Sequence, residues 1–144
     1  MAAFAGEWVD ACKAGECKGF DKFCKAYGMS DEEIKGYKEH VGRQTVIVDG
    51  EDWTYITSFG DYKATNKFKI GRKNAPDRDI EGNLFESTPT LINDKEMKEV
   101  IETQRPGGTV TTIVKRKIVA EGKQEVTMIH EASNTEMISY ALKQ

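Results

Sequence analysis

The sequence is short of proline, cysteine and histidine, with three, three and two residues of these types among 144. It has no apolar run near the roughly 20 residues that cross a bilayer. The first residues, MAAFAGEWVDACK, also lack the basic stretch followed by an apolar stretch that is typical of a secretory signal. We therefore predict a cytoplasmic protein. The length predicts a single domain over residues 1–144.

Basic residues are too few to suggest a polyanionic partner. The 21 Lys and Arg residues are outnumbered by 24 Asp and Glu residues, which gives a formal net charge of −3. Binding to nucleic acid requires Lys and Arg concentrated on one face, so we predict no nucleic-acid partner. The composition, 38% hydrophobic and 31% charged, is that of an ordinary folded protein.

The pattern of cysteines and histidines does not indicate a metal site. Cys12, Cys17 and Cys24 include no CxxC pair, and His40 and His130 lie far from one another in the sequence. Zinc sites usually combine such pairs with nearby histidines. We predict reduced thiols, no metal and no cofactor, although Cys12 and Cys17 could pair in an oxidised protein.

Motifs of common catalytic sites are missing as well. The chain contains no Gly-rich phosphate loop, no G-x-S-x-G and no H-E-x-x-H. We therefore predict that the protein is not an enzyme. A cysteine-dependent acyl hydrolase, in which Cys24 acts with one of the histidines, remains an alternative of another class, and so does a structural scaffold.

Helical periodicity is confined to the first forty residues. Phe20, Phe23, Cys24 and Tyr27 recur at the spacing of one helix face, and Gly28 is expected to end that helix.

A second helix is predicted to begin at Ser30, which forms a capping-box pattern with Glu33. Gly42 is expected to end it. Acidic residues in its first turn would repel phosphate, so the helix pair is interpreted as a lid rather than a DNA-binding unit. The buried stripe of this helix is predicted to consist of Ile34, Tyr37 and Val41.

From Gln44 onward, alternation of polar and apolar residues replaces the helical period. Residues 45–58 are typical of a hairpin that turns at Asp49 and Gly50. Together with the stretch around Trp8, the chain has nine or ten strand candidates separated by short turns. This pattern predicts an all-β fold in which an antiparallel up-and-down meander closes on itself as a barrel.

The last three predicted strands place an arginine on their inner face. Lysines gather at odd positions, so the even positions are predicted to face the interior. A buried guanidinium costs several kcal/mol unless it meets an anion or water, so Arg116 needs a partner. The even set consists of Val110, Thr112, Val114, Arg116, Ile118, Gln124, Val126, Met128, His130, Glu136, Ile138, Tyr140 and Leu142.

Two kinds of partner for Arg116 fit this arrangement. Glu136 shares the predicted inner face and would form an internal ion pair. Alternatively, the interior is a hydrated cavity, where Arg116 and the Tyr140 hydroxyl bind the carboxylate of a long apolar ligand. The apolar part of that ligand would contact Val114, Val126, Met128 and Ile138.

Several motifs, in order along the chain, resemble one known family. GEW at residues 6–8 precedes a helix that opens on GFD at residues 19–21, and YKATNKFKIG and TTIVKRKIV follow at residues 62–71 and 111–119. Over nearly its whole length, the chain resembles the intracellular lipid-binding proteins, the family of fatty-acid-binding and cellular retinoid-binding proteins.

The resemblance implies a ten-stranded barrel of two near-orthogonal sheets, capped by a short helix-turn-helix lid. It also implies a monomer that carries one long-chain fatty acid or retinoid and makes transient contact with a membrane or an acceptor protein. A secreted lipocalin-like carrier is the alternative, and it would require a signal peptide and usually disulfides. Further ligand contacts are expected from Phe20 and Cys24 in the lid and from Phe59 and Tyr62 at a loop tip where the family admits ligand.

The resemblance also implies two head-group contacts for the ligand. Arg116 fits the inward arginine of the strand over residues 109–119, and Tyr140 fits the tyrosine of a final Arg-x-Tyr motif. Ile138 stands where that motif has its arginine. Because a hydrogen bond to a charged group contributes about 1.5–3 kcal/mol, this loss weakens carboxylate binding. A retinoid with a neutral head group, such as an alcohol or aldehyde, is therefore the alternative cargo.

Overall fold

The computed structural model describes residues 2–144, which form ten strands, two α-helices and two short 3₁₀ turns. The turns span Ala2–Phe4 and Ala14–Glu16, and the helices are α1 (Phe20–Tyr27) and α2 (Asp31–Lys38). The strands are β1 (Gly6–Asp10), β2 (Arg43–Asp49), β3 (Asp52–Phe59), β4 (Tyr62–Lys69), β5 (Asp77–Arg78), β6 (Leu84–Asn93), β7 (Glu96–Arg105), β8 (Gly108–Ala120), β9 (Lys123–His130) and β10 (Thr135–Lys143).

The strands form one antiparallel sheet that is rolled into a nearly closed barrel. Its order is β4-β3-β2-β1-β10-β9-β8-β7-β6-β5, so β1 joins the two halves of the chain by pairing with both β2 and β10. β4 and β5 meet at the seam, where the Asn66 side chain donates to Asp77 Oδ2 at 2.9 Å and to the Arg78 carbonyl at 2.7 Å. The predicted all-β barrel with a helical lid is confirmed.

Two apolar clusters occupy different parts of the barrel. One is built on the strands and contains Phe4, Trp8, Val46, Trp53, Met97 and Ala141, all at most 5% exposed. The other joins α1 and α2, which we call the lid, to the turn before them, and it contains Ala14, Phe20, Cys24, Ile34 and Tyr37. The lid is therefore held to the barrel by burial of its own apolar stripe.

The lid helices follow the predicted pattern except at one end. The Ser30 hydroxyl accepts from the Glu33 amide at 3.2 Å and Glu33 Oε1 accepts from the Ser30 amide at 3.0 Å, which confirms the capping box. α2 ends at Lys38, however, so the prediction that Val41 continues its buried stripe to Gly42 is wrong; Val41 is 37% exposed. The Gly42 carbonyl instead accepts from the Asp10 amide at 2.9 Å, which draws this segment to β1.

α1 is fixed against β10 at its first turn. The Ile138 amide donates to the Lys18 carbonyl at 2.9 Å, in an isolated bridge just before the helix. Gly19 follows with φ of +80°, and a Cβ there would collide with the Glu136 carbonyl oxygen. Glycine is therefore required for this close approach of the lid to the sheet.

The inner face of β10 differs from the prediction. Residues directly opposite in an antiparallel pair lie on the same face. The turn at residues 131–134 pairs even positions of β9 with odd positions of β10, whereas β8 and β9 pair even with even over most of their length. The prediction that Ile138 and Tyr140 point inward with Glu136 and Leu142 is therefore wrong. The inward residues of β10 are Met137, Ser139 and Ala141.

Candidate functional site

The barrel encloses a cavity of about 380 Å³. Its wall is mostly apolar and takes side chains from the lid and from strands in both halves of the sheet. Enclosed, largely apolar spaces with a few polar groups are typical of small-molecule sites. The predicted ligand contacts that do line the cavity are Phe20, Cys24, Phe59, Val114, Arg116, Val126 and Met128.

Three predicted contacts lie outside the cavity. Tyr140 is 38% exposed, and its hydroxyl donates to Glu125 at 2.9 Å on the outer surface. Ile138 shares that outer face of β10. Tyr62 is 36% exposed and stacks on Tyr37 of the lid, with 5.2 Å between ring centroids. Tyr140 therefore does not share a binding site with Arg116.

Arg116 does point into the barrel, where it meets a carboxylate of the protein. The Nε atom of Arg116 donates to Glu99 Oε2 at 3.5 Å, and the two side chains are only 14% and 5% exposed. The guanidinium lies 5.2 Å from the centre of the Tyr55 ring, and the Tyr55 hydroxyl donates to Glu99 Oε1. We call Tyr55, Glu99 and Arg116 the interior cluster.

Glu99 replaces the internal partner that the sequence suggested. Glu136 was expected to face Arg116, but it is exposed on the outer face of β10. Glu99 lies on β7 opposite Val114, which places it diagonal to Arg116 on the inner face. The alternation of Met97, Glu99 and Ile101 was a signal that could have identified it, because the two apolar neighbours mark the inner face.

The surroundings of the interior cluster keep Arg116 charged. Burial acts to lower the pKa of Arg116, but the neighbouring Tyr55 and Glu99 oxygens outweigh it, so the pKa is raised. Burial, followed by the charge of Glu99, raises the pKa of Tyr55 well above its ordinary value. Burial also raises the pKa of Asp10, another cavity residue, to about 6, although a backbone hydrogen bond at Gly42 and the charge of Arg116 oppose this.

Two buried polar atoms on the cavity wall lack a hydrogen bond within residues 2–144. They are Thr112 Oγ1 and Gln124 Oε1, on side chains that are 3% and 1% exposed. Buried polar atoms are normally paired, so these positions are suited to contact water or a ligand. Gln124 stands next to the interior cluster, because Arg116 is directly opposite Val126 and Gln124 is its diagonal neighbour.

A second group of charges ties the lid to the rim of the barrel. Arg105, whose side chain is 7% exposed, donates through Nη1 to Glu33 Oε2 at 3.0 Å and to Glu81 Oε2 at 2.8 Å. Its Nη2 donates to the Gly28 carbonyl at 3.0 Å, and the Tyr37 hydroxyl donates to Glu81 at 2.7 Å. We call Glu33, Glu81 and Arg105 the rim cluster.

The rim cluster was not found from the sequence, because its members are far apart along the chain. The hydrogen bond from Arg105 lowers the pKa of Glu33 to about 2. Burial raises the pKa of Glu81. The lid is therefore held at the barrel mouth by charge-assisted hydrogen bonds as well as by apolar contact.

Cys17 and Cys24 have the properties of inert thiols. Burial raises the pKa of Cys24 and of Cys17 to about 12, whereas a nucleophilic cysteine needs a lowered pKa. Cys12 Sγ lies 3.8 Å from Cys17 Sγ, and both are free. This state argues against Cys24 as the nucleophile of an acyl hydrolase.

Residues 2–144 contain neither a cluster of metal ligands nor a helix that could span a membrane. No group of three or more His, Cys, Asp or Glu side chains in this part of the chain is arranged to hold a metal ion. None of its helices has the length and apolarity needed to cross a membrane.

Solved structures match this chain in fold, whereas its sequence matches no family model and no curated protein. Among solved structures, the chain resembles a Schistosoma mansoni fatty-acid-binding protein in complex with arachidonic acid, with a TM-score of 0.82 and 17% identity over 100% of this chain and 98% of that one. The fold is therefore that of the fatty-acid-binding proteins.

Two other solved structures have the same fold as this chain. Caenorhabditis elegans lipid-binding protein 8, without ligand, has a TM-score of 0.82 and 14% identity over 100% of this chain and 97% of that chain. Echinococcus granulosus fatty-acid-binding protein 1 has a TM-score of 0.80 and 19% identity over 99% of this chain and 98% of that one.

Removing either charge of the interior ion pair is expected to destabilise the fold. Arg116→Met or Glu99→Gln alone should lower the free energy of unfolding by about 3 kcal/mol, because each leaves a buried charge without its partner. The double variant should lose clearly less than the sum of the two. Urea unfolding of the four proteins measures this coupling, and strict additivity would show that the pair does not interact.

The rim cluster predicts a stability difference that depends on pH. Glu33→Gln keeps the capping box but removes the charge that Arg105 contacts, so it should cost about 1.5 kcal/mol at pH 7. Since the pKa of folded Glu33 is about 2, below its ordinary value of 4.5, the ionised carboxylate stabilises the fold above pH 4.5. The difference from wild type should shrink as the pH falls from about 5 to 2.

Glu32→Gln is the matched control for this measurement. It removes the same charge from the same turn of α2, at an exposed position. Unfolding curves at several pH values that are the same for both variants would contradict the assignment of Glu33 to the rim cluster.

Proposed function

We propose that the protein is a carrier that binds one long-chain fatty acid or a similar hydrophobic ligand in its cavity, shields it from water and releases it at a membrane or to a partner protein. The observation that carries this proposal is the lid-covered cavity of about 380 Å³, whose apolar wall has a polar cluster on one side. A ligand with a long apolar chain and one polar group matches both features.

Apolar burial would supply most of the affinity. Transfer of apolar surface out of water contributes about 25 cal/mol per Å², and the wall offers apolar side chains such as Phe20, Phe59, Val114 and Met128. The polar groups around Arg116 would then fix which end of the ligand lies there. The names of the solved relatives support a lipid ligand, since they are called fatty-acid-binding or lipid-binding proteins.

A retinoid with a neutral head group is the second candidate ligand. Arg116 already has a carboxylate partner in Glu99, so a ligand carboxylate would have to share this cation. A neutral alcohol or aldehyde adds no charge to the interior cluster. The pairing of Arg116 with Glu99 therefore favours this alternative over a fully ionised ligand.

Entry of a ligand would require the lid to move. Phe59 lines the cavity and packs edge-on against Tyr37, with 5.5 Å between the ring centroids, and Tyr37 in turn stacks on Tyr62. These contacts and the rim cluster hold the lid against the barrel mouth. We propose that both open together when ligand enters or leaves, because Tyr37 also donates to Glu81.

A first test of the carrier function is the lipid content of the protein itself. Mass spectrometry of an organic extract of the purified chain is expected to recover a defined lipid at close to one molecule per chain. A chain that yields no lipid, and that binds no fatty acid or retinoid after delipidation, would contradict the carrier function.

Filling the cavity should abolish binding. Ser139 lines the cavity, so Ser139→Trp is expected to weaken binding of a fluorescent fatty acid by at least about tenfold while the chain stays folded, since a bulky ring takes the space of the ligand. Ile138→Trp, one residue earlier on the outer face of β10, is the matched control and should bind like wild type. Equal effects in a titration of the two variants would show that the cavity is not the binding site.

A further inference from the structure

The interior cluster has a charge balance that bears on ligand choice. Within the described residues, the Nε atom of the Arg116 guanidinium donates to the Glu99 carboxylate. The cation is thus already compensated by a carboxylate that is only 5% exposed and that also accepts from the Tyr55 hydroxyl. Asp10 is a further acidic side chain on the cavity wall.

A ligand carboxylate at this end of the cavity would be a second carboxylate beside the Arg116 guanidinium, after that of Glu99. Like charges in a buried site repel, and each ion taken from water carries a desolvation cost that must be offset by a counter-charge. Because Glu99 already provides the counter-charge of Arg116, a ligand carboxylate would gain only a shared partner. A neutral head group avoids this repulsion.

The protein groups around this end of the cavity include both donors and an acceptor of hydrogen bonds. A ligand head group that matches them must therefore accept as well as donate. The terminal nitrogens of Arg116 are donors, so they suit a ligand oxygen. Gln124 Oε1 is an acceptor without a partner within residues 2–144, on a side chain that is 1% exposed and diagonal to Arg116. A carboxylate can only accept, whereas a hydroxyl or a primary amide can accept from Arg116 and donate to Gln124.

We infer that this end of the cavity selects a neutral head group that both donates and accepts hydrogen bonds, a primary alcohol or primary amide, over a carboxylate, and that Glu99 imposes this choice. The inference rests on the proposed carrier function and specifies the class of its ligand. Glu99 is then the residue that determines specificity. Arg116 orients the head group without neutralising it.

The test compares ligands that share one hydrocarbon chain. Oleyl alcohol, oleamide, oleate and methyl oleate each displace a fluorescent lipid probe from the delipidated wild-type chain at pH 7.5. The alcohol and the amide are expected to bind about tenfold more tightly than oleate, a ratio that corresponds to about one hydrogen bond to a charged group. Methyl oleate, which cannot donate, should bind more weakly than the alcohol.

The role of Glu99 is tested by Glu99→Gln. This change keeps an acceptor for Tyr55 but frees Arg116 from its counter-charge, so affinity for oleate should rise by about tenfold while that for oleyl alcohol stays within about threefold. Glu102→Gln is the matched control, because Glu102 lies on the same strand, contacts Lys73 at the surface and should leave every affinity unchanged. If Glu99→Gln folds only with ligand, refolding with each compound is the readout, and oleate must restore the fold at least as well as the alcohol does.

The outcomes separate this inference from the carrier function. Tightest binding of oleate by the wild type, or a Glu99→Gln variant that keeps the tenfold preference for the alcohol over oleate, would overturn the inference and leave the carrier function standing. Failure of all four compounds to displace the probe, or of the probe to bind, would overturn the carrier function. Alcohol and amide preference in the wild type, abolished by Glu99→Gln, supports both.

Discussion

The buried contact between Arg116 and Glu99 constrains the centre of this barrel. A guanidinium on the inner face of β8 is tolerated because β7 brings a carboxylate to its diagonal position and β3 brings the Tyr55 hydroxyl from elsewhere in the sheet. β3 and β7 are not neighbours in the sheet order, so the Tyr55–Glu99 hydrogen bond links strands that no backbone ladder joins. The cluster therefore links opposite parts of the barrel wall across the cavity.

The rim cluster joins the lid to the barrel, just as the interior cluster joins separate strands of the barrel wall. Arg105 and Glu99 lie on the same strand, separated by roughly 20 Å at the rise of an extended chain. At the rim, Arg105 binds two carboxylates and a helix carbonyl, so its contacts span α1, α2 and the segment around Glu81. The position of the lid thus depends on hydrogen bonds that water can replace, in keeping with the proposed opening of the lid.

A hollow centre changes how such a domain is stabilised. Apolar burial is divided between a strand-based cluster around Trp53 and Met97 and a lid cluster around Phe20 and Ile34, with the cavity drawing its wall from both regions. The side chains that line the cavity leave a space between them, whereas in a solid core they would pack against one another. Paired charges, close backbone approach at Gly19 and the continuous sheet take over part of the ordering that a filled core would provide.

Local periodicity in the sequence was enough to predict most of the strand and helix pattern, the capping box at Ser30 and the inward position of Arg116, because the alternation of residues and the run of surface lysines report which face a residue occupies. It did not predict the short strand Asp77–Arg78 or the end of α2 at Lys38. It did not determine the face of β10. That face depends on the register across the turn at residues 131–134, and this register places Tyr140 outside although its motif suggested a ligand contact. Only the tertiary structure joined Glu99 to Arg116, and Arg105 to Glu33 and Glu81, because these contacts link strands and helices that are distant in the chain. Pairing of buried charges is settled by packing in three dimensions, on which local sequence carries little information.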